Sequence, residues 1–306
     1  MTSALSFHTG TEYSLKLHLK SGERMDKKKR RILNIILILA LIAGLVVFGR
    51  HQYQNYLGRL VYDEAIMIAD GNASGEITDD DISSREPAQE APKKEAWKPG
   101  PMPDDPYIEE LLDVDLASLQ EENEDVLGWI FIPDSKINYP LLQWTDNDFY
   151  LKHTWKQTKN FAGSIFMECQ NSPDFSDFNT IIYGHNMNNG DMFGGLKKYQ
   201  GSKYLKQHPS VYILNEYGVF RYDIFAVQKA GVESVVYRMQ IDSDQQKQEV
   251  IRFAKDYSTI ETDIYPTVDD RILTLSTCSG QGYKNRWVVM AVLNEAGSYQ
   301  TAEFDY

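Results

Sequence analysis

Residues 32–49 form an eighteen-residue run whose only polar member is Asn34, and Lys27, Lys28, Lys29, Arg30 and Arg31 stand directly before it. A helix apolar on every side has no face to turn to water, so such a run must be wholly buried or lie in lipid. Its length suffices for a short membrane span. The basic cluster predicts a cytoplasmic N-terminus, with the bulk of the chain outside. A cleaved signal peptide is the rival reading. Against it, the run is long, and the G-R-H-Q-Y-Q that follows has no small-x-small cleavage pattern. The basic flank also argues against a buried core helix. The expected layout is a basic cytoplasmic segment 1–31, a single transmembrane helix 32–49 and an extracellular remainder. Met25 followed by D-K-K-K-R-R is a conventional start for an anchored protein. Residues 1–24 are therefore either a cytoplasmic tail or an over-long translation start.

Charge is divided along the same line. Residues 1–31 carry eight basic and three acidic side chains, whereas the rest carries 23 basic and 41 acidic ones. A globular part this acidic is a poor partner for nucleic acid, and an anionic lipid surface would repel it without a tether. From position 53 to about 69 an amphipathic pattern continues as a helix. Positions 70–105, rich in Asp, Glu, Ser, Pro and Gly, read as a disordered acidic spacer. Residues 50–105 are thus expected to be a helical and disordered linker, with a folded domain over 106–306.

That domain is expected to be mainly β. It opens with an acidic helix over 107–124. Short strand patterns follow at 127–132, 137–142, 163–167, 180–183, 211–214, 219–227, 271–277 and 287–293, punctuated by turn residues. Eight short strands in this span suggest a closed or nearly closed barrel, and 19 Tyr, 13 Phe and 5 Trp suit a β-rich core. One long helix interrupts the late strands at 243–257, with Val250, Ile251 and Ala254 on its apolar face.

The chemistry concentrates in T-L-S-T-C-S-G-Q-G-Y-K-N-R-W-V-V, which begins at Thr274. One apolar strand ends at Cys278, two glycines loop the chain back, and a second strand starts at Arg286. A thiol and a guanidinium therefore stand at neighbouring strand ends. An accessible thiolate supported by positive charge is a nucleophile, and an arginine can meet the negative charge that develops on a carbonyl oxygen. A cysteine nucleophile needs a proton carrier. Of six histidines, His8 and His18 precede the apolar run, His51 abuts it, His153 lies in a polar loop and His208 precedes Pro209 in a turn. His185 remains, in N-T-I-I-Y-G-H-N-M-N-N-G-D, at the end of a short strand where a catalytic side chain is well mounted. Cys169, the other cysteine, is expected to be a free thiol without a role. The chain has no C-x-x-C, H-E-x-x-H or glycine-rich phosphate loop, so neither a metal nor a cofactor is expected.

T-L-S-T-C followed by R-W-V-V, with N-T-I-I-Y-G-H upstream, resembles the sortases, the membrane-anchored cysteine transpeptidases of Gram-positive surfaces. The resemblance covers roughly residues 107–293. V-L-G-W-I-F-I-P-D-S-K-I-N-Y-P-L-L-Q, F-A-G-S-I-F-M-E and the helix at 243–257 match class B in particular. Two departures stand out: Cys169, where the family commonly has an aromatic residue, and the short loop between Cys278 and Arg286.

The resemblance implies a sortase-type β-barrel with His185, Cys278 and Arg286 as the catalytic triad. It also implies a Pro-x-Thr sorting-signal peptide as substrate and an amine of peptidoglycan precursor or cross-bridge as acceptor. Asn147 and Leu151 match a segment placed near the sorting peptide. Ser276 and Thr277 flank the nucleophile, and Tyr237 is a candidate for the far wall; each of these also has a purely structural reading. Pilin polymerisation is a variant within the class. A secreted cysteine peptidase or L,D-transpeptidase acting on peptidoglycan is a separate alternative, though an S-H-G-C-like segment is absent. A non-catalytic binding module has no reason to keep all three residues.

Overall fold

A computed structural model describes residues 27–71, 105–278 and 284–297, with only the backbone described for Lys29, Cys278 and 295–297. Residues 1–24, nearly all of the acidic spacer and the glycine loop at 279–283 lie outside the described residues. The chain divides into two units, residues 1–52 and 53–306.

In the first unit, helix α1 (Lys27–Ala69) begins on the basic cluster. Between positions 32 and 48 every large apolar side chain is exposed, and the helix is long and apolar enough to cross a membrane.

In the second unit the same helix changes character. Tyr62, Ala65, Ile68 and Ala69, at helical spacing, are buried in the main core. Lys156 reaches Glu64 at 2.8 Å on the exposed side. Read from sequence as the helical part of a linker, this stretch packs as part of the domain, because a three-to-four-residue apolar repeat gives one buriable face.

The single helix expected over 107–124 is instead two, α2 (Pro106–Leu112) and α3 (Leu116–Glu122). The break has a local cause. Asp115 accepts hydrogen bonds from Ser118 N at 3.0 Å and Ser118 Oγ at 2.7 Å, an N-cap that competes with helix continuation. Asp105 caps α2 in the same way, accepting from Tyr107 N.

The eight described strands are β1 (Val126–Phe131), β2 (Asn138–Gln143), β3 (Ile165–Met167), β4 (Asn179–Tyr183), β5 (Ser210–Asn215), β6 (Gly218–Gly231), β7 (Ile272–Cys278) and β8 (Asn285–Gly297). They close into a barrel in the order β1-β2-β3-β4-β7-β8-β6-β5, with β5 paired back to β1. Six of the eight pairings are antiparallel; β2–β3 and β4–β7 are parallel. Parallel neighbours require crossover connections, and these carry the extra elements. The first crossover holds a 3₁₀ turn, Phe149–Leu151. The second holds the loop after β4, a 3₁₀ segment Phe193–Gln200, helix α4 (Ser202–Gln207), β5, β6, a 3₁₀ turn Val235–Tyr237 and helix α5 (Asp244–Asp256).

Strand alternation sorts the core into two. Trp287, Val289 and Ala291 of β8 join the main cluster, whereas Val288, Met290 and Val292 join a second one with Val236, Val250, Ile251 and Ala254. This is the period-two geometry of a strand. It explains why β8 reads as a nearly unbroken apolar run: both of its faces are covered. The apolar face foreseen for α5 is the one that covers β6, β7 and β8.

Candidate active site

The parallel pairing of β4 with β7 builds the site. Tyr183 is opposite Ser276, and Gly184 N donates to Ser276 O at 3.2 Å. Continuing that register brings the backbone of His185 alongside that of Cys278. β8 returns antiparallel, so its first residues lie beside the last of β7, and Arg286 is the Cα partner of Cys278. His185 thus converges with the distant Cys278 and Arg286 at one barrel end, because two parallel strands finish there and a third begins there. The Cys278 side chain lies outside the described residues.

A cleft of about 200 Å³ opens at this end. It is lined by Asn147, Leu151, Phe166, Tyr183, Gly184, His185, Ser276, Thr277 and Arg286. Of the residues singled out in the sequence, Asn147, Leu151, His185, Ser276, Thr277 and Arg286 meet here. Tyr237 stands behind the lining, its hydroxyl 2.8 Å from Ser276 Oγ. It is brought there by the 3₁₀ turn ahead of α5, whose Val236 O accepts from Asn179 Nδ2 of β4 at 2.9 Å. Thr277 Oγ1 is buried with no hydrogen-bond partner among the described residues.

His185 is fixed by its surroundings. Its Nε2 lies 2.7 Å from Leu151 O. A carbonyl can only accept, so Nε2 carries the hydrogen and Nδ1 is the nitrogen left for proton exchange. Gly163, at φ +59°, passes directly beneath. A Cβ there would come within 2.6 Å of Tyr150 O, 2.9 Å of Leu151 O and 3.0 Å of His185 Cδ2. Only glycine supplies both the left-handed backbone and the space. Beyond His185 the chain loops back, with Asn186 bridged to Met192 and Phe193 N donating to His185 O at 3.0 Å. Asp191 anchors this loop, reaching Lys136 at 2.9 Å and Arg59 at 3.2 Å. His153 and His208, set aside on sequence grounds, have other partners: His153 Nδ1 lies 2.8 Å from Phe149 O and His208 Nδ1 2.7 Å from Pro133 O.

Phe166, Tyr183 and Gly184 were not singled out as site residues, although all three stand inside the quoted motifs F-A-G-S-I-F-M-E and N-T-I-I-Y-G-H. Nothing local marks them, because strand and turn residues there look the same in or out of a cleft. Glu168 is buried beneath the cleft. Partial burial and the carboxylate of Glu168 push the Cys169 thiol up to about 11, which leaves it a poor nucleophile at neutral pH.

A sequence model of the sortase domain matches residues 130–294. The chain belongs to the sortase family. This sortase is 36% identical over 181 residues to Sortase B of Listeria monocytogenes, covering 58% of this chain and 74% of the relative. Its fold is similar to that of a Staphylococcus aureus sortase B–substrate complex (TM-score 0.56, 32% identity, 59% of this chain and 84% of that one). It is also similar to sortase B from B. anthracis in complex with AAEK1 (TM-score 0.61, 28% identity, 79% of this chain and 99% of that one). The sortase is of class B, and its activity is that of a cysteine transpeptidase. The expected mainly β, eight-stranded barrel with N-terminal helices is the one observed.

Proposed function

We propose that Cys278, His185 and Arg286 carry the transpeptidation, on a Pro-x-Thr sorting signal held in the cleft that Arg286 and His185 line. The thiolate of Cys278 attacks the carbonyl carbon of that threonine. Arg286 donates hydrogen bonds to the oxyanion so formed. Collapse breaks the C–N bond, His185 Nδ1 protonates the departing amine, and a thioester remains on Cys278. A cell-wall amine of peptidoglycan precursor or cross-bridge then attacks that thioester, the C–S bond breaks, the amine's proton passes to His185 Nδ1, and the Cys278 thiolate is released. Asn147, Leu151, Ser276 and Thr277 contact the peptide, with Tyr237 supporting Ser276 from behind. The helix at 32–49 tethers the enzyme with its N-terminus inside and the catalytic domain outside, where wall amines are found. The observation that supports this assignment most directly is the register: Cys278 opposite Arg286, with β4 delivering His185 to the same end.

The test uses the full-length protein in detergent with Leu-Pro-x-Thr-Gly and Asn-Pro-x-Thr-Asn peptide sets, read by mass spectrometry. Cleavage after threonine and a thioester mass on the protein are expected. Cys278→Ala is expected to abolish both, and Cys169→Ala to retain them. Activity surviving in Cys278→Ala, or lost in a folded Cys169→Ala, would overturn the assignment.

A further inference from the structure

Glu168 follows β3 and is buried, with 5% of its surface exposed. A buried carboxylate demands partners, and two of its partners line the cleft. Its Oε1 accepts from Asn147 Nδ2 at 2.7 Å, and its Oε2 accepts from the Tyr183 hydroxyl at 2.9 Å. The orientation of Asn147 is settled independently, because Cys169 N donates to its Oδ1 at 2.9 Å.

The chemistry of the cleft wall follows from this arrangement. A carboxylate only accepts, so Tyr183 spends its single hydroxyl hydrogen on Glu168 and can offer a ligand only its oxygen lone pairs. Asn147 has its carbonyl engaged and one amide hydrogen engaged, which leaves one N–H with no partner among the described residues. The wall is therefore a fixed pair, one acceptor beside one donor, and a single buried carboxylate sets both.

We propose that Glu168 is a positioning residue that determines specificity: it holds Tyr183 as an acceptor and Asn147 as a donor, so that this wall takes a peptide amide group with its N–H and C=O both satisfied. This inference rests on the sorting-peptide reading of the cleft. Glu168 is not among the residues lining the cleft and acts through Asn147 and Tyr183, so its effect falls on binding rather than on the chemical step. Replacing the carboxylate by a carboxamide keeps the shape but forces Nε2 to donate. One of the two partners must then reverse or go unpaired, and a site left with a mismatched buried polar group loses affinity.

The experiment uses the full-length protein in detergent and the best-cleaved peptide of the sets above. Glu168→Gln is expected to raise KM about tenfold while kcat stays within about twofold and the thioester still forms. In a Tyr183→Phe background, which has no hydroxyl to misorient, the added effect of Glu168→Gln on KM is expected to shrink to less than about threefold. An unchanged KM, a fall in kcat at constant KM, or effects that simply multiply would overturn the proposal. If near-ultraviolet circular dichroism shows that Glu168→Gln does not fold, Tyr183→Phe and Asn147→Ala decide: a raised KM in both supports the wall, and an unchanged KM in either overturns it. A wild-type protein that cleaves none of the peptides would speak against the sorting reading itself. A cleaving wild type with an indifferent variant would speak against Glu168 alone.

Discussion

The proton transfers proposed for His185 require its ring to be presented with one nitrogen committed and the other available, and two residues of no chemical reactivity arrange that. Leu151 contributes a carbonyl to Nε2, and Gly163 contributes an absence of atoms beneath Cδ2. Gly163→Ala is expected to push the ring and the Leu151 carbonyl apart, because a Cβ at 2.6 Å from Tyr150 O cannot be accommodated without a shift. Turnover should fall at least tenfold, since small displacements of a catalytic group are costly, and the strained φ should cost stability of about 1 kcal/mol or more. Steady-state kinetics beside thermal melting checks this; wild-type kcat would show that the ring is held otherwise. His185 itself stood out in the sequence as a histidine at a strand end. Gly163 and Glu168 did not, because their roles consist of distances to residues far away in the chain.

At the scale of elements, the loop after β4 must hold its shape while the strand beneath it is rigid. Asp191 provides the restraint, pairing with Lys136 of the β1–β2 turn and Arg59 of α1. Both cations are largely exposed, and exposed pairs are worth about 0–1 kcal/mol each. Asp191→Asn is therefore expected to lower kcat/KM by no more than about fivefold, and the difference from wild type should narrow in about 1 M salt. A loss of several hundredfold would instead make Asp191 part of the chemistry. Element positions were largely legible in advance, since alternation and turn residues mark strands locally. The split between α2 and α3 is not legible there, because an aspartate inside an apolar repeat reads equally well as a surface residue and as a cap. The 3₁₀ segments Phe149–Leu151 and Val235–Tyr237 were also passed over; elements this short have no periodicity to detect.

At the scale of the whole molecule, the cooperative unit reaches back into α1. Tyr62 donates to Gly163 O at 2.5 Å and lies 3.0 Å from Ser164 Oγ, and Trp155 Nε1 donates to Val61 O at 2.8 Å. Burial of Tyr62, Ala65, Ile68 and Ala69 contributes roughly 4–6 kcal/mol as an upper figure. A chain of residues 106–306 should therefore melt about 10 °C or more below one of residues 53–306, as scanning calorimetry would read. Equal midpoints would show that the helix lies outside the cooperative unit. The same contacts link the helix to the floor of the site, since Gly163 is both the acceptor for Tyr62 and the residue beneath His185.

The features that depend on short windows of chain are legible in residue order alone. These are a helix apolar enough for lipid, the strands and their spacing, the covering helix α5, and the residue types that a thiol-based acyl transfer needs. Which strands are neighbours follows from the closed barrel, and with that come the parallel β4–β7 pair, the cleft, the committed nitrogen of His185 and the carboxylate bonded to Asn147 and Tyr183. The physical reason is locality. Periodicity and turn chemistry act over a few residues, whereas a pairing such as Thr274 with Asn179, 95 positions apart, is selected only when the whole barrel closes.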